Sequence, residues 1–144
     1  MHRVGEDLYV GDLASVGDGR ALHAAGIDVV VGLTHDAPTD GYPTGVDVVR
    51  EPMVDGPRND GSAFERAVDA TLDALTDGHR TLVHCSAGSS RSVAVAAATL
   101  AETTDRDLEA AFQRVLACRP PADPHPALVR RAAAYVGLER AGKM

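Results

Sequence analysis

Nine consecutive residues, His84-Cys85-Ser86-Ala87-Gly88-Ser89-Ser90-Arg91-Ser92, gather a thiol, a glycine-bearing loop, an arginine and several hydroxyls within one turn of chain. Thr81-Leu82-Val83 before them reads as a short buried strand, and Val93 to Leu100 after them as an alanine-rich packed helix. A loop running from a strand end into a helix start can surround an anion with backbone N–H groups, and the helix dipole adds to the attraction. The pattern predicts a cradle for a tetrahedral dianion, with a nucleophile inside it.

Each residue type suits a task there. A helix N-terminus, converging N–H groups and a nearby cation all favour the thiolate of Cys85. As a thiolate, Cys85 attacks phosphorus in line and divides hydrolysis into two easier steps through a cysteinyl-phosphate. Arg91 can grip two phosphoryl oxygens with its planar fork. Gly88 permits backbone angles that turn successive N–H groups inward, so the cradle is assigned to Ser86, Ala87, Gly88, Ser89, Ser90 and Arg91. Ser92 can donate its hydroxyl to the Cys85 sulfur and help it depart, and His84 can support the loop through its ring nitrogens. The leaving-group oxygen needs a proton from elsewhere. Asp55 and Asp60, set among Gly56, Pro57 and Gly61, are the two candidates, on a loop suited to a mobile flap.

The elements that must position these groups alternate along the chain. Val4 to Val10 reads as an entry strand, Ser15 to Ala25 as a helix stopped by Gly26, and Ile27 to Leu33 as a β-branched strand buried on both faces. Thr34 to Gly45 is a loop, Val46 to Arg50 a third strand, and Glu51 to Gly61 a loop again. Ser62 and Glu65 form an expected capping box for a helix reaching Leu75. Thr104 or Asp105 is the expected cap of a helix over Leu108 to Cys118, and Pro126 begins a last helix to about Arg140. This order predicts an α/β fold: one central, mostly parallel sheet of four to five strands with helices on both faces. Cys85 then lies at a strand's C-terminal end.

At 144 residues the chain is expected to form a single domain, 1–144, with a full core. The net charge is −7, with Lys143 as the single lysine, which argues against a nucleic-acid partner. No apolar run approaches a membrane span or a signal peptide, so the expectation is a cytoplasmic protein with no membrane partner. Oligomeric state is left open. Cys85 and Cys118 have neither a zinc-ligand nor a redox-pair spacing, and no metal or other cofactor is expected. Cys118 reads as a core residue late in its helix, a resolving partner for oxidised Cys85 being the alternative. His84 has no second ligand at a metal-binding spacing, the other histidines read as surface or capping residues, and Arg119 reads as a helix-end charge.

His84 to Ser92 resembles the signature of the cysteine-dependent protein tyrosine phosphatases, most closely the small dual-specificity group: His-Cys, two variable residues, Gly, two more, then Arg-Ser. Leu8 to Asp12, Leu22 to Leu33, Phe64 to Ala67, Leu108 to Pro120 and His125 to Leu128 resemble further stretches of that family. The resemblance implies a metal-free phosphatase acting on phosphotyrosine, with phosphoserine and phosphothreonine as further substrates, on a phosphorylated protein partner. It implies Cys85 as nucleophile, Arg91 and the Ser86 to Arg91 backbone as phosphate holders, and Ser92 as an aid to dephosphorylation. It also favours Asp55 over Asp60 as the general acid, because the family's acid stands some thirty residues before the cysteine. Basic residues are absent from Ser86, Ala87, Ser89 and Ser90, which disfavours phosphoinositide head groups; Tyr42 is the one candidate for an aromatic pocket wall. Alternative readings are a low-turnover module that binds phosphorylated partners, a phosphatase of RNA 5′ ends, or a thiol-based sulfur or arsenate enzyme.

Overall fold

The computed structural model describes residues 1–142. Five strands form one sheet: β1 (His2–Arg3), β2 (Leu8–Gly11), β3 (Val29–Gly32), β4 (Asp47–Arg50) and β5 (Thr81–His84). Their order is β1-β2-β5-β3-β4, with β1 antiparallel to β2 and every other pair parallel. β5 is therefore central. Its register sets Gly11 and Gly32 on either side of His84, and Cys85 follows at the strand's C-terminal end.

Alternation along the strands feeds two cores. Leu8, Val10, Val29, Val31 and Val83 pack on one face against α3 (Gly61–Thr76) and α4 (Arg91–Thr103), and α5 (Leu108–Cys118) and α6 (Pro126–Gly142) continue the same core by packing on α4. Val30 and Leu82 pack on the other against Val16 and Leu22, from α1 (Leu13–Val16) and α2 (Gly19–Ala25). The expected fold class is the one observed. α4 is buried from Ser92 to Ala101, and its alanines let α3, α5 and α6 approach it closely.

Local departures from the expected elements have identifiable causes. The entry strand over Val4 to Val10 breaks into a hairpin, because the Val4 and Gly5 amides both turn back to the Leu8 carbonyl. The single helix over Ser15 to Ala25 becomes two, since Asp12 caps α1 and Asp18 caps α2 after the break at Gly17. Gly26 closes α2 with φ +73, a left-handed conformation suited to glycine. Asp60, not Ser62, caps α3 by accepting the Ser62 N–H, so the Ser62–Glu65 box does not form. Asp107, rather than Thr104 or Asp105, caps α5 through the Ala110 N–H.

Candidate active site

The loop from Cys85 to Ser90 joins β5 to α4, and its carbonyls are all bonded by the surrounding protein. The Cys85 carbonyl accepts from His84 Nδ1 at 3.4 Å, Ser86 from the Leu13 amide at 3.0 Å, and Ala87 from Arg119 Nη2 at 3.2 Å. Gly88 accepts from Arg119 Nε at 3.0 Å, Ser89 from the Asp123 amide at 2.7 Å, and Ser90 from the Ala94 amide at 3.0 Å. A trans peptide unit points its N–H opposite to its C=O. Turning the carbonyls outward therefore turns the following N–H groups inward. Among the described residues, the amides of Ser86 to Ser90 have no protein acceptor. Gly88 is required on two counts, with φ +65 and a Cβ position only 2.6 Å from the Gly11 carbonyl oxygen.

Arg119 is the residue that sequence reasoning misread. It is 3% exposed rather than a surface charge, and it holds Ala87 and Gly88 from outside while donating Nη1 to His2 Nδ1 at 2.8 Å. Burial and the adjacent guanidinium hold the His2 ring below the usual histidine range, which keeps it a neutral acceptor. The available signal was the Arg119-Pro120 pair at the end of α5, where a charge directed at helix carbonyls would not need burial.

Cys85 is 2% exposed, with its Sγ 3.1 Å from Ser92 Oγ. When the sulfur is a thiolate the Ser92 hydroxyl must be the donor. Arg91 Nη1 donates to the Met53 carbonyl at 3.0 Å and Nη2 to Ser86 Oγ at 3.2 Å, which sets the guanidinium across the loop. These contacts leave further N–H groups of the fork for phosphoryl oxygens.

His84 is fully buried beneath the nucleophile. Its Nε2 lies 2.8 Å from Tyr42 Oη. A carbonyl can only accept, so Nδ1 carries the proton toward the Cys85 carbonyl and Nε2 accepts from the Tyr42 hydroxyl. Burial depresses its pKa to about 4, with Arg50 and Arg91 adding to the effect against the Cys85 carbonyl. Burial likewise raises the Tyr42 pKa and keeps its hydroxyl a donor. Gly32 makes the contact possible, since a Cβ there would lie 2.6 Å from Tyr42 Oη and 2.9 Å from His84 Nε2. Tyr42, the expected pocket wall, thus spends its hydroxyl on holding His84.

The two candidate acids separate in space. Asp55 accepts from Ser90 Oγ at 2.7 Å, beside the cradle, whereas Asp60 is occupied in capping α3. The flap around Asp55 turns at Gly56, φ +85, and is tied by Asn59 Nδ2 to the Val54 carbonyl at 2.9 Å. Arg131 donates to the Asn59 carbonyl from α6. Cys118 is partly buried and packs against the larger core. Among the described residues, no group of three or more His, Cys, Asp and Glu side chains is arranged to hold a metal.

Comparison with known proteins points to one family. The family model described as dual specificity phosphatase, catalytic domain, matches residues 8–135. Dual specificity phosphatase 28 of Mus musculus is 35% identical over 124 residues, covering 85% of this chain and 76% of that protein. The crystal structure of human DUSP28 superposes with a TM-score of 0.89 at 30% identity, covering 99% of each chain. A mouse protein described as a dual specificity phosphatase, solved in complex with zinc tungstate, superposes at 0.88 with 31% identity, covering 99% of this chain and 89% of that one. With the family model spanning most of its length, the chain belongs to the dual specificity phosphatases, cysteine-dependent enzymes that work through a cysteinyl-phosphate.

Proposed function

We propose that residues 1–144 act as a single catalytic domain that hydrolyses phosphotyrosine, and also phosphoserine and phosphothreonine, on protein substrates in the cytoplasm. The observation that carries the site assignment is the outward bonding of every carbonyl from Cys85 to Ser90 around a buried thiol. The cradle amides and Arg91 hold the three non-bridging oxygens. The Cys85 thiolate attacks phosphorus, the P–O bond to the substrate breaks, and Asp55 gives its proton to the departing oxygen. Water then attacks the cysteinyl-phosphate, giving its proton to Asp55, while the Ser92 hydroxyl donates to the leaving sulfur. His84 supports the loop without moving a proton. The absence of basic side chains at Ser86, Ala87, Ser89 and Ser90 supports a single phosphoryl group as ligand. No helix among the described residues is long and apolar enough to cross a membrane.

Hydrolysis of p-nitrophenyl phosphate in excess chelator tests the assignment. Turnover by the unmodified protein and none by Cys85→Ser is the expected result, with tyrosine-phosphorylated peptides as the next substrates. No turnover by either protein across pH and salt would replace the enzyme with a phosphate-binding module.

A further inference from the structure

Ser90 precedes α4 as its N-cap, yet its hydroxyl makes no bond back into that helix. A serine at this position ordinarily accepts from an amide of the first turn. Ser90 is 7% exposed, and its oxygen accepts instead from the His125 amide at 2.8 Å. Because an N–H can only donate, the hydroxyl's own proton is directed at Asp55 Oδ1, 2.7 Å away.

We infer that Ser90 is a positioning residue for proton transfer, holding Asp55 by one oxygen so that the transferable proton rides on the other. The inference rests on the reading of Asp55 as the general acid. In a carboxylic acid the carbonyl oxygen is the better acceptor, so a donor fixed at Oδ1 assigns the acid proton to Oδ2. When the leaving-group oxygen takes that proton, Asp55 becomes a carboxylate still held at Oδ1, and Oδ2 receives the next proton from the attacking water. No further co-reactant is needed.

The hydroxyl itself sits on fixed ground. His125 Nδ1 accepts the Ala127 amide at 3.0 Å, capping α6, and the Asp123 amide donates to the Ser89 carbonyl at 2.7 Å. The segment entering α6 therefore grips two consecutive cradle residues. Asp55, by contrast, is exposed on the flap beside Gly56, and Ser90 is its side-chain hydrogen-bond partner among the described residues. Ser90 thus ties the flap to the segment that enters α6.

The test compares kcat/KM for phenyl phosphate, whose leaving group needs a proton, with p-nitrophenyl phosphate, whose leaving group needs it far less. Ser90→Ala, Asp55→Asn and the double variant are measured, with inhibition by inorganic phosphate as a readout of the cradle amides. General acid catalysis contributes about 10²–10⁴-fold, so loss of its alignment in Ser90→Ala is expected to lower kcat/KM for phenyl phosphate about tenfold. The loss for p-nitrophenyl phosphate and the shift in phosphate inhibition are expected to be several times smaller. Adding Ser90→Ala to Asp55→Asn is expected to cost little more. Equal losses on both substrates, matched by weaker phosphate inhibition and additive with Asp55→Asn, would make Ser90 a structural part of the loop and overturn the inference. An Asp55→Asn protein that hydrolyses phenyl phosphate normally would overturn the acid assignment itself, an outcome separable from a silent Ser90→Ala. Ser90→Gly provides the same comparison if the alanine variant does not fold.

Discussion

Between the ordinary histidine pKa of 6.5 and the value of about 4 imposed on His84 by burial, the unfolded chain binds a proton that the folded chain refuses. Stability contributed by neutral His84 is therefore complete above pH 6.5, falls as the pH drops through that window, and is lost below about 4. The loss is of the order of 3 kcal/mol at one pKa unit per 1.4 kcal/mol. Urea unfolding at pH 7 and pH 5 is expected to show a falling midpoint in the unmodified protein and a shallower fall in His84→Asn. Tyr42→Phe leaves the buried Nε2 acceptor without its 2.8 Å donor. Its expected cost is about 1–3 kcal/mol, read as a lower midpoint with an unchanged slope.

The ends of the helices carry the next set of consequences. Asp107 accepts the Ala110 amide at the start of α5, so Asp107→Ala is expected to cost about 1 kcal/mol. Thermal unfolding of Asp105→Ala, within about 0.5 kcal/mol of the unmodified protein, is the control. At the other end of α5, Arg119→Lys replaces a fork that serves two carbonyls and His2 with a single point charge. Inhibition by inorganic phosphate is expected to weaken several-fold, read from the inhibition constant against p-nitrophenyl phosphate, with Cys85 and Arg91 untouched. The bounds of α5 and the alternation of strands and helices along the chain were legible in the sequence because periodicity and glycine or proline punctuation are local signals. Helix starts were less so: two or three Ser, Thr and Asp residues compete at each, and the path of the incoming chain decides among them. Cys85, Arg91 and Ser92 were legible for the same local reason, lying within eight consecutive residues. Arg119, Tyr42 and His125 were not, because their partners lie 31 or more positions away and only the folded chain brings them together.

Over the whole molecule, the charge of −7 sets the terms on which substrates approach. Beside Ser86 lies a cavity of ≈ 580 Å³ whose formal charges are Asp18 and Asp40. A phosphopeptide flanked by arginine is expected to show a higher kcat/KM than one flanked by glutamate. The difference should shrink as salt is raised from 0.05 to about 0.5 M, because screening shortens the reach of surface charge. Equal values at low salt would remove this electrostatic preference. The outward-bonded carbonyls have one more consequence, for a chain still being made. Synthesis runs from the N-terminus, so the thiol at Cys85 is made before Arg119, 31 residues beyond Gly88, and before the Asp123 amide. On a nascent chain that ends before Arg119, the loop has its nucleophile and the groups that bond the Cys85, Ser86 and Ser90 carbonyls, but not those that bond Ala87, Gly88 and Ser89. The middle of the cradle, from Ala87 to Ser89, therefore gains its outer bonds only when the end of α5 docks.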